Sequence, residues 1–383
     1  MIRYVIALSE LGIKNNNLIS LLLEHSLEIE DMFNMESSHV FNKNLELMSY
    51  FDIFSNKVAV NEALSKADAI LYRNEEFGIK TTYFTASTYP VALSKIDNPP
   101  AIIYYKGSEF SDIPESAIAC VGTRKPTKLS YNAVNYLIPQ WVRENCSIIS
   151  GLACGVDKIS HQACVSAKGK TIAVLAHGLD TVYPKENSSL ANRILESGGI
   201  LMSEYSVGTK ADKFRFVNRN RLIVGMSKAV VIFECDAKGG TMHNVEHAAK
   251  QHKPIFCPAL GEEITESQTG TKQLIDEKVA TVIKEGRDIS GVLEAVGTSV
   301  STERMNNSEI KLNYLHSILS IVHSPVVLEA TIKDMHLNIT ISNNIYDTFV
   351  ELVNENYINI DKLISSLVNN NIACINKTLT FND

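Results

Sequence analysis

The sequence predicts an α/β protein built on a doubly wound, mostly parallel sheet, with helical segments at both ends. Three observations carry this. Short apolar runs alternate with amphipathic stretches through the middle of the chain. Those runs are apolar almost throughout instead of alternating, as strands buried on both faces must be. And 17 of the 19 glycines fall between Gly107 and Gly297, so the tight turns belong to the middle and not to the ends. The runs are Ala101–Tyr105, Ile118–Val121, Ser147–Ile149, Thr171–Leu175, Ile200–Glu204, Ala229–Glu234 and Pro254–Pro258. Helices are expected near Ser130–Asn145, Asp157–Lys168, Ser188–Ser197, Thr241–His252 and Thr271–Asp276. This is a Rossmann-like pattern, in which ligands bind at the carboxyl ends of the strands.

Charge divides the chain the same way. Residues 1–80 hold 7 Lys/Arg against 12 Asp/Glu, residues 301–383 hold 5 against 9, and residues 81–300 hold 24 against 22. The net charge of −7 therefore hides a slightly basic middle. We expect a helical N-terminal domain over 1–80, a Rossmann-like domain over 81–297, a polar linker at Thr298–Ser308 and a helical C-terminal module over 309–383. In the first zone Val5, Leu8 and Leu11, then Leu18, Leu21, Leu22 and Leu27, have helical spacing, and further helices fit Leu45–Phe54 and Val58–Tyr72. A helical hairpin of this kind can hold a nucleic-acid backbone, but its net −5 favours a packing or partner role. In the last zone helices fit Leu312–Val322, Pro325–His336 and Asn344–Asn354.

Several classes are excluded. No apolar run reaches the roughly 18 residues of a membrane span. The N-terminus lacks the long apolar core of a signal peptide. Seven cysteines without a CxxC pair fit buried thiols in a reducing compartment, and we expect a cytoplasmic protein.

The residues after the strands carry the functional reading. Gly122-Thr123-Arg124-Lys125 follows Ile118–Val121 and precedes a helix, which gives free N–H groups, a positive dipole end and two cations for an anion. Ser150-Gly151-Leu152-Ala153-Cys154-Gly155-Val156-Asp157 follows the next strand. There Gly151 and Gly155 allow close backbone approach, and Asp157 can cap the following helix. Either loop read alone is also an ordinary tight turn. Neither is a Walker loop or a GxGxxG fingerprint, which removes the support for an ordinary NTPase or dehydrogenase. Gly239-Gly240-Thr241 opens a further helix and is a third candidate backbone anion loop.

The strongest local signal is Gly208–Arg221. Lys210, Lys213, Arg215, Arg219 and Arg221 stand against the single acid Asp212, with Phe214 and Phe216 interleaved and Asn220 between two arginines. Cations that track phosphates beside rings that stack bases suit single-stranded nucleic acid. The bland alternative is a solvated loop whose phenylalanines anchor it to the core. His243-Asn244-Val245-Glu246-His247 matches the HxxEH peptidase pattern, but it lies at a helix start after a sheet turn, and we expect no metal.

These residues resemble the DprA/Smf family, the DNA-processing proteins of bacterial transformation. Thr88-Tyr89-Pro90, Leu93, Asn98-Pro99-Pro100 and Tyr104–Gly107 look like the family's "YP..L…PP..LY.KG" entry. Val121–Arg124 looks like its VGSR loop, and Ser150–Asp157 with His161 looks like "SGLARGID…AH". Gly169–Val174, Gly178-Leu179-Asp180, Tyr183-Pro184 with Asn187, Ser203–Tyr205 and Arg219–Ile223 continue the series in order. The resemblance implies an extended Rossmann-like domain and a small helical N-terminal domain. It also implies a homodimer that binds and protects single-stranded DNA and helps load the RecA recombinase, with no cofactor and no enzymatic activity. Carried over by position, Arg124, Lys213, Phe216 and Arg219–Arg221 contact DNA, and Ser150 and Gly151 offer hydroxyl and backbone contacts.

The sequence departs from the family pattern at four places. Cys154 stands where the family often has arginine, Lys238–His247 replaces the usual SG(S/T)…TA turn, Pro258-Ala259 replaces Pro-Gly, and Asp276–Ala280 lacks "GA". The C-terminal zone is unlike the family's frequent winged helix, although a divergent one is an option for it. A relative used in phage defence is therefore an alternative pathway. From another class, Gly239-Gly240-Thr241 with Glu246 is similar to the GGxGT…E motif of the lysine-decarboxylase-like phosphoribohydrolases, which makes a nucleotide-binding enzyme or sensor the rival reading.

Overall fold

The computed structural model describes residues 1–13, 17–25, 27–34, 46–283, 289–298, 329–333 and 336–340. They form two units, Met1–Ser299 and Val300–Asp383. The first opens with helices α1 (Ile2–Glu10), α2 (Asn17–Glu24), α3 (Ile29–Asn34), α4 (Phe51–Ser55) and α5 (Lys57–Glu76). Asn56 caps the long α5 by accepting from the Ala59 N–H.

The sheet then builds from β1 (Lys80–Tyr83), β2 (Ile102–Gly107), β3 (Ala117–Gly122), β4 (Ser147–Ser150), β5 (Thr171–Leu175), β6 (Ile200–Ser203), β7 (Ala229–Glu234), β8 (Ile255–Pro258) and β9 (Thr281–Ile283). After β1 come α6 (Val91–Ser94), α7 (Lys128–Arg143), α8 (Val156–Ser166), α9 (Ser188–Glu196), α10 (Lys213–Gly225), α11 (Met242–Lys250), α12 (Thr269–Asp276) and α13 (Ile289–Ala295). The spatial order is β1-β2-β6-β5-β4-β3-β7-β8-β9. From β6 to β9 every pairing is parallel, while β1 and β2 run antiparallel at one edge. The expected fold class is the observed one.

The chain steps outward from β3 to β6, then returns to place β7 on the other side of β3. The order reverses between β3 and β7, and this switch point opens the crevice used by ligands in such sheets. The runs read as strands from the sequence are all strands, within two residues at each end. The edge strands β1 and β9 were not legible, being only four and three residues long and half exposed.

Strand alternation splits the core between the sheet's two faces. Ile118 and Cys120 of β3 join Trp141, Ile138 and Phe233 in one cluster, while Ala119 and Val121 join Leu222, Ile223 and Leu93 in another. The boundary near residue 80 is a change of element type and not a break in the core. Val5, Leu8, Leu18 and Phe54 of the N-terminal helices share one cluster with Ile102, Leu175, Leu190 and Leu201.

In the second unit the described residues form an antiparallel hairpin, β10 (Glu329–Lys333) with β11 (His336–Thr340), Lys333 opposite His336. This corrects the helix expected at Pro325–His336: the β-branched residues Thr331, Ile332, Ile339 and Thr340 favour strand. Beyond Thr298 the expected linker, and the helices at 312–322 and 344–354, lie outside the described residues. Among the described residues no helix is long and apolar enough to cross a membrane.

Candidate nucleic-acid interface

Loops from four adjacent strand ends meet at the carboxyl edge beside the switch point. The first follows β3. Thr123 donates its N–H to the Glu234 carbonyl of β7 at 2.7 Å, and its own carbonyl accepts from the Val156 N–H at 3.1 Å. The loop is thus stitched both to β7 and to the start of α8. Its far end is held by the Glu234 carboxylate, which is fully buried at the end of β7. That carboxylate accepts from the Thr127 N–H at 2.9 Å, from the Thr127 hydroxyl at 2.8 Å, and from the hydroxyls of Ser130 and Ser267. A carboxylate with four donors at a helix start fixes the loop that carries Arg124 and Lys125. In the sequence Glu234 stands out only as the last residue of an apolar run. A charge closing such a run at a switch-point strand was the available signal.

The second loop, Gly151–Gly155, is shaped by close approaches. Gly155 has φ +79° and ψ −133°, and a Cβ there would stand 2.3 Å from the Thr123 carbonyl oxygen. Gly151 lies against the Arg219 guanidinium, 1.7 Å from where its Cβ would be. The hydroxyl of Ser150 donates to the Cys120 carbonyl at 2.6 Å inside the sheet, so its side chain is an internal strut. Cys154 is exposed.

The third part is the cation–aromatic segment, which is helix from Lys213 onward and loop before it. Asp212 caps α10, accepting from the N–H groups of Phe214 and Arg215. The apolar residues Leu222 and Ile223 anchor the helix to the sheet. Lys210, Lys213 and Phe214 are exposed, Phe214 at 80%. Phe216 turns inward to a half-buried position. The guanidinium of Arg124 lies 5.6 Å from its ring centroid, that of Arg219 5.9 Å, and the Tyr183 ring 5.8 Å. The sequence presents Phe216 as a stacking ring. In the fold it is also the hub on which the β3, β5 and α10 segments meet.

The arginines divide sharply. Arg219 is only 4% exposed and donates to the Val174 carbonyl. Burial pushes its pKa down to about 10, with Asp157 acting against the shift. Arg221 is paired with Glu204, both largely buried. These two hold α10 to the sheet, and Asn220 between them is half-buried. Arg124, Lys125, Lys210 and Lys213 remain as the cations at the surface of the cluster. Arg215, read as a cation of the same run, pairs with Asp212 at 2.5 Å and covers the Tyr205 ring at 5.5 Å.

Beneath the loops lies a buried polar group of α8. His161 Nδ1 is 2.8 Å from the Thr171 hydroxyl, which itself donates to the Ile148 carbonyl at 2.6 Å. The hydroxyl has one proton, so the imidazole must donate through Nδ1, which leaves Nε2 as a bare buried lone pair. Burial, with the nearby Arg219 charge, pushes the His161 pKa down to about 3. Asp157 is raised by burial, with Arg219 opposing.

Gly239, Gly240 and Thr241 lie at the end of β7, across the switch point. Gly239 donates to the Asp236 carbonyl at 3.0 Å, and a Cβ on Gly240 would meet nothing within 4 Å. Glu246, the acid of the rival enzyme motif, is exposed beside His243 at 3.4 Å. Among the described residues no three His, Cys, Asp or Glu side chains are grouped to hold a metal ion.

Fold and site together define a doubly wound α/β protein with a cationic, aromatic loop cluster at its switch point. The model of the family described as DNA recombination-mediator protein A matches residues 80–294, more than half of the chain. The chain belongs to that family. It is 34% identical over 225 residues to the DNA processing protein DprA of Bacillus subtilis, a match covering 57% of this chain and 75% of that one. It is 33% identical over 204 residues to the protein Smf of Synechocystis, covering 52% of this chain and 50% of its relative. Among solved structures, DprA from Streptococcus pneumoniae aligns at TM-score 0.59 and 28% identity, over 76% of this chain and 97% of that chain. DNA processing protein A from Helicobacter pylori, solved for its single-stranded DNA binding mode, aligns at TM-score 0.51 and 29% identity, over 56% and 96%. The chain is thus a DprA-like DNA-processing protein.

Proposed function

We propose that this protein binds single-stranded DNA at the carboxyl edge of its sheet, protects it there, and works as a homodimer that hands the strand to a RecA-type recombinase. The observation that carries the binding is the meeting of Arg124, Phe216 and Tyr183 from three separate segments, flanked by exposed Lys125, Lys210, Lys213 and Phe214. Cations and open rings on one surface are the two elements that a flexible strand needs. The Helicobacter pylori relative, whose structure concerns single-stranded DNA binding, supports the same reading. Protection and recombinase loading rest on family membership.

The reading is of a binding protein in the cytoplasm and not of an enzyme. The titratable groups beneath the loops are turned inward and committed to the fold: His161 is neutral, Arg219 is bonded to a strand carbonyl, and Glu234 is saturated with donors. A mononucleotide turnover assay checks this, with no hydrolysis expected.

Anisotropy titrations of oligo(dT) and of a duplex of equal length test the binding itself. Tighter binding to the single strand is expected, with log K falling linearly in log salt. Equal affinity for both forms, or no salt slope, would remove the reading. Arg124→Ala should weaken binding and flatten the slope by roughly one ion, because a phosphate-directed cation acts through charge.

A further inference from the structure

Tyr183 lies on the loop between β5 and α9, at the same carboxyl edge as the loop carrying Arg124 and the Gly151–Gly155 loop, which together form the cradle. The loop is pinned on both sides of it. Before Tyr183, Gly178 donates to the Thr209 carbonyl at 2.9 Å, and the Asp180 carboxylate accepts from the Gly208 N–H at 2.9 Å. After it, the buried Asn187 donates through Nδ2 to the Leu152 carbonyl at 2.8 Å. These anchors tie the loop to the Lys210-bearing segment on one side and to the Gly151–Gly155 loop on the other. Tyr183 stands between them with 52% of its surface open to solvent.

The Tyr183 ring is open to solvent although Leu179 and Asn187, four residues away on either side, are buried. Its position explains what it faces. The ring lies 5.8 Å from Phe216 at an interplanar angle of 48°, and Phe216 has the guanidiniums of Arg124 and Arg219 within 6 Å of its centroid. A base arriving from solvent meets a half-buried Phe216 that is already partnered, but a Tyr183 ring that is open. Stacking needs an accessible π-face with little entropy to lose, and a backed ring on a fixed loop supplies both.

We propose that Tyr183 is a base-stacking residue of the single-stranded DNA site, with Phe216 as the inner ring that backs it. This rests on the single-stranded DNA reading above. Its partner is an unpaired base of the bound strand, while Arg124, which shares Phe216 with it, meets the phosphate chain.

The test is an anisotropy titration of labelled oligo(dT) with wild type, Tyr183→Ala, Tyr183→Phe, Tyr183→Leu and Arg124→Ala. Each is repeated across a salt series and on an abasic strand of the same length. Tyr183→Ala should bind oligo(dT) about 5- to 150-fold more weakly, the equivalent of one lost stack, with the salt slope unchanged. Tyr183→Phe should bind like wild type, since the ring and not the hydroxyl stacks. On the abasic strand wild type and Tyr183→Ala should converge. If Tyr183→Ala melts early, Tyr183→Leu decides. It fills the space without a π-face, so weak binding by a stable Leu variant supports stacking and wild-type binding overturns it. Tyr183→Ala equal to wild type, in titrations where Arg124→Ala is weakened, overturns the proposal and leaves the site reading standing. An equal loss on normal and abasic strands makes the ring structural and also overturns it. If wild type itself fails to bind the single strand, both readings fall together.

Discussion

Gly155→Ala is expected to lose about 3 kcal/mol or more of folding stability and most single-stranded DNA binding, although it adds one methyl group. Gly155 is the N-cap of α8, at φ +79° and ψ −133°, a conformation open essentially to glycine alone. Adopting it costs an L-residue about 1–3 kcal/mol. The new Cβ would also stand 2.3 Å from the Thr123 carbonyl oxygen and 2.5 Å from the Arg124 carbonyl carbon. Both are backbone atoms, so no rotamer change relieves the clash. The β3 loop must move, which disturbs the hydrogen bond from the Val156 N–H to the Thr123 carbonyl and the ring contact between Arg124 and Phe216. Gly240→Ala is the control. It sits in the loop after β7 with nothing within 4 Å of the new carbon. It should stay within about 0.5 kcal/mol of wild type. Urea unfolding of both variants beside an oligo(dT) titration checks the pair. A Gly155→Ala protein that melts and binds like wild type would show that the two loops are not coupled as described.

The strand ends were legible in the sequence because their cause is local. An apolar run stopped by glycine announces both a buried strand and a turn. For that reason Gly122, Gly151 and Gly155 are legible from their place just after apolar runs. What was not legible depends on partners far away in the chain. Arg219 and Arg221 look like Lys210 and Lys213 in the sequence, yet one bonds to the Val174 carbonyl of β5 and the other pairs with Glu204. Nothing in their neighbours distinguishes a phosphate-binding arginine from one that holds a helix to a sheet. The α10 helix was missed for a related reason. Its first two turns, KFRFVNR, carry no apolar stripe of helical period, and the cap at Asp212 with the Leu222-Ile223 contact decides its structure. Tyr183 was visible as part of a motif, but its openness is a property of the pinned loop.

Acid should destabilise this protein through the group beneath the cradle, beginning near pH 6.5. In the folded chain the His161 pKa is pushed from 6.5 down to about 3, by burial first and by the Arg219 charge second. Protonation would place a hydrogen on Nε2, which has no acceptor, because Nδ1 already donates to Thr171. Between these two pKa values the unfolded chain binds the proton and the folded one does not. Stability contributed by the neutral imidazole is therefore complete above about pH 6.5 and is lost as pH falls toward 3. Fully expressed, the loss is on the order of 5 kcal/mol. His177, lowered mainly by burial, acts in the same direction. Asp157, one turn before His161 on α8, acts oppositely: its raised pKa means that the fold tolerates the acid form, so it offsets part of the loss at lower pH. His161→Asn separates the terms. Its amide can keep a donor near Thr171 while removing the titration, and Asp157 and His177 stay in place. The variant should be less stable than wild type at pH 7, since a packed ring is lost. Its unfolding free energy should then fall less steeply with acid, by about 2–3 kcal/mol between pH 7 and pH 4.5. Urea titrations of the two proteins at those pH values give the comparison. Parallel stability curves would assign acid lability instead to carboxylates whose pKa the fold lowers, Asp68 beside Arg3 and Glu109 beside Lys80. A steeper curve for wild type ties it to the imidazole on the helix whose first residue, Val156, closes the nucleic-acid cradle.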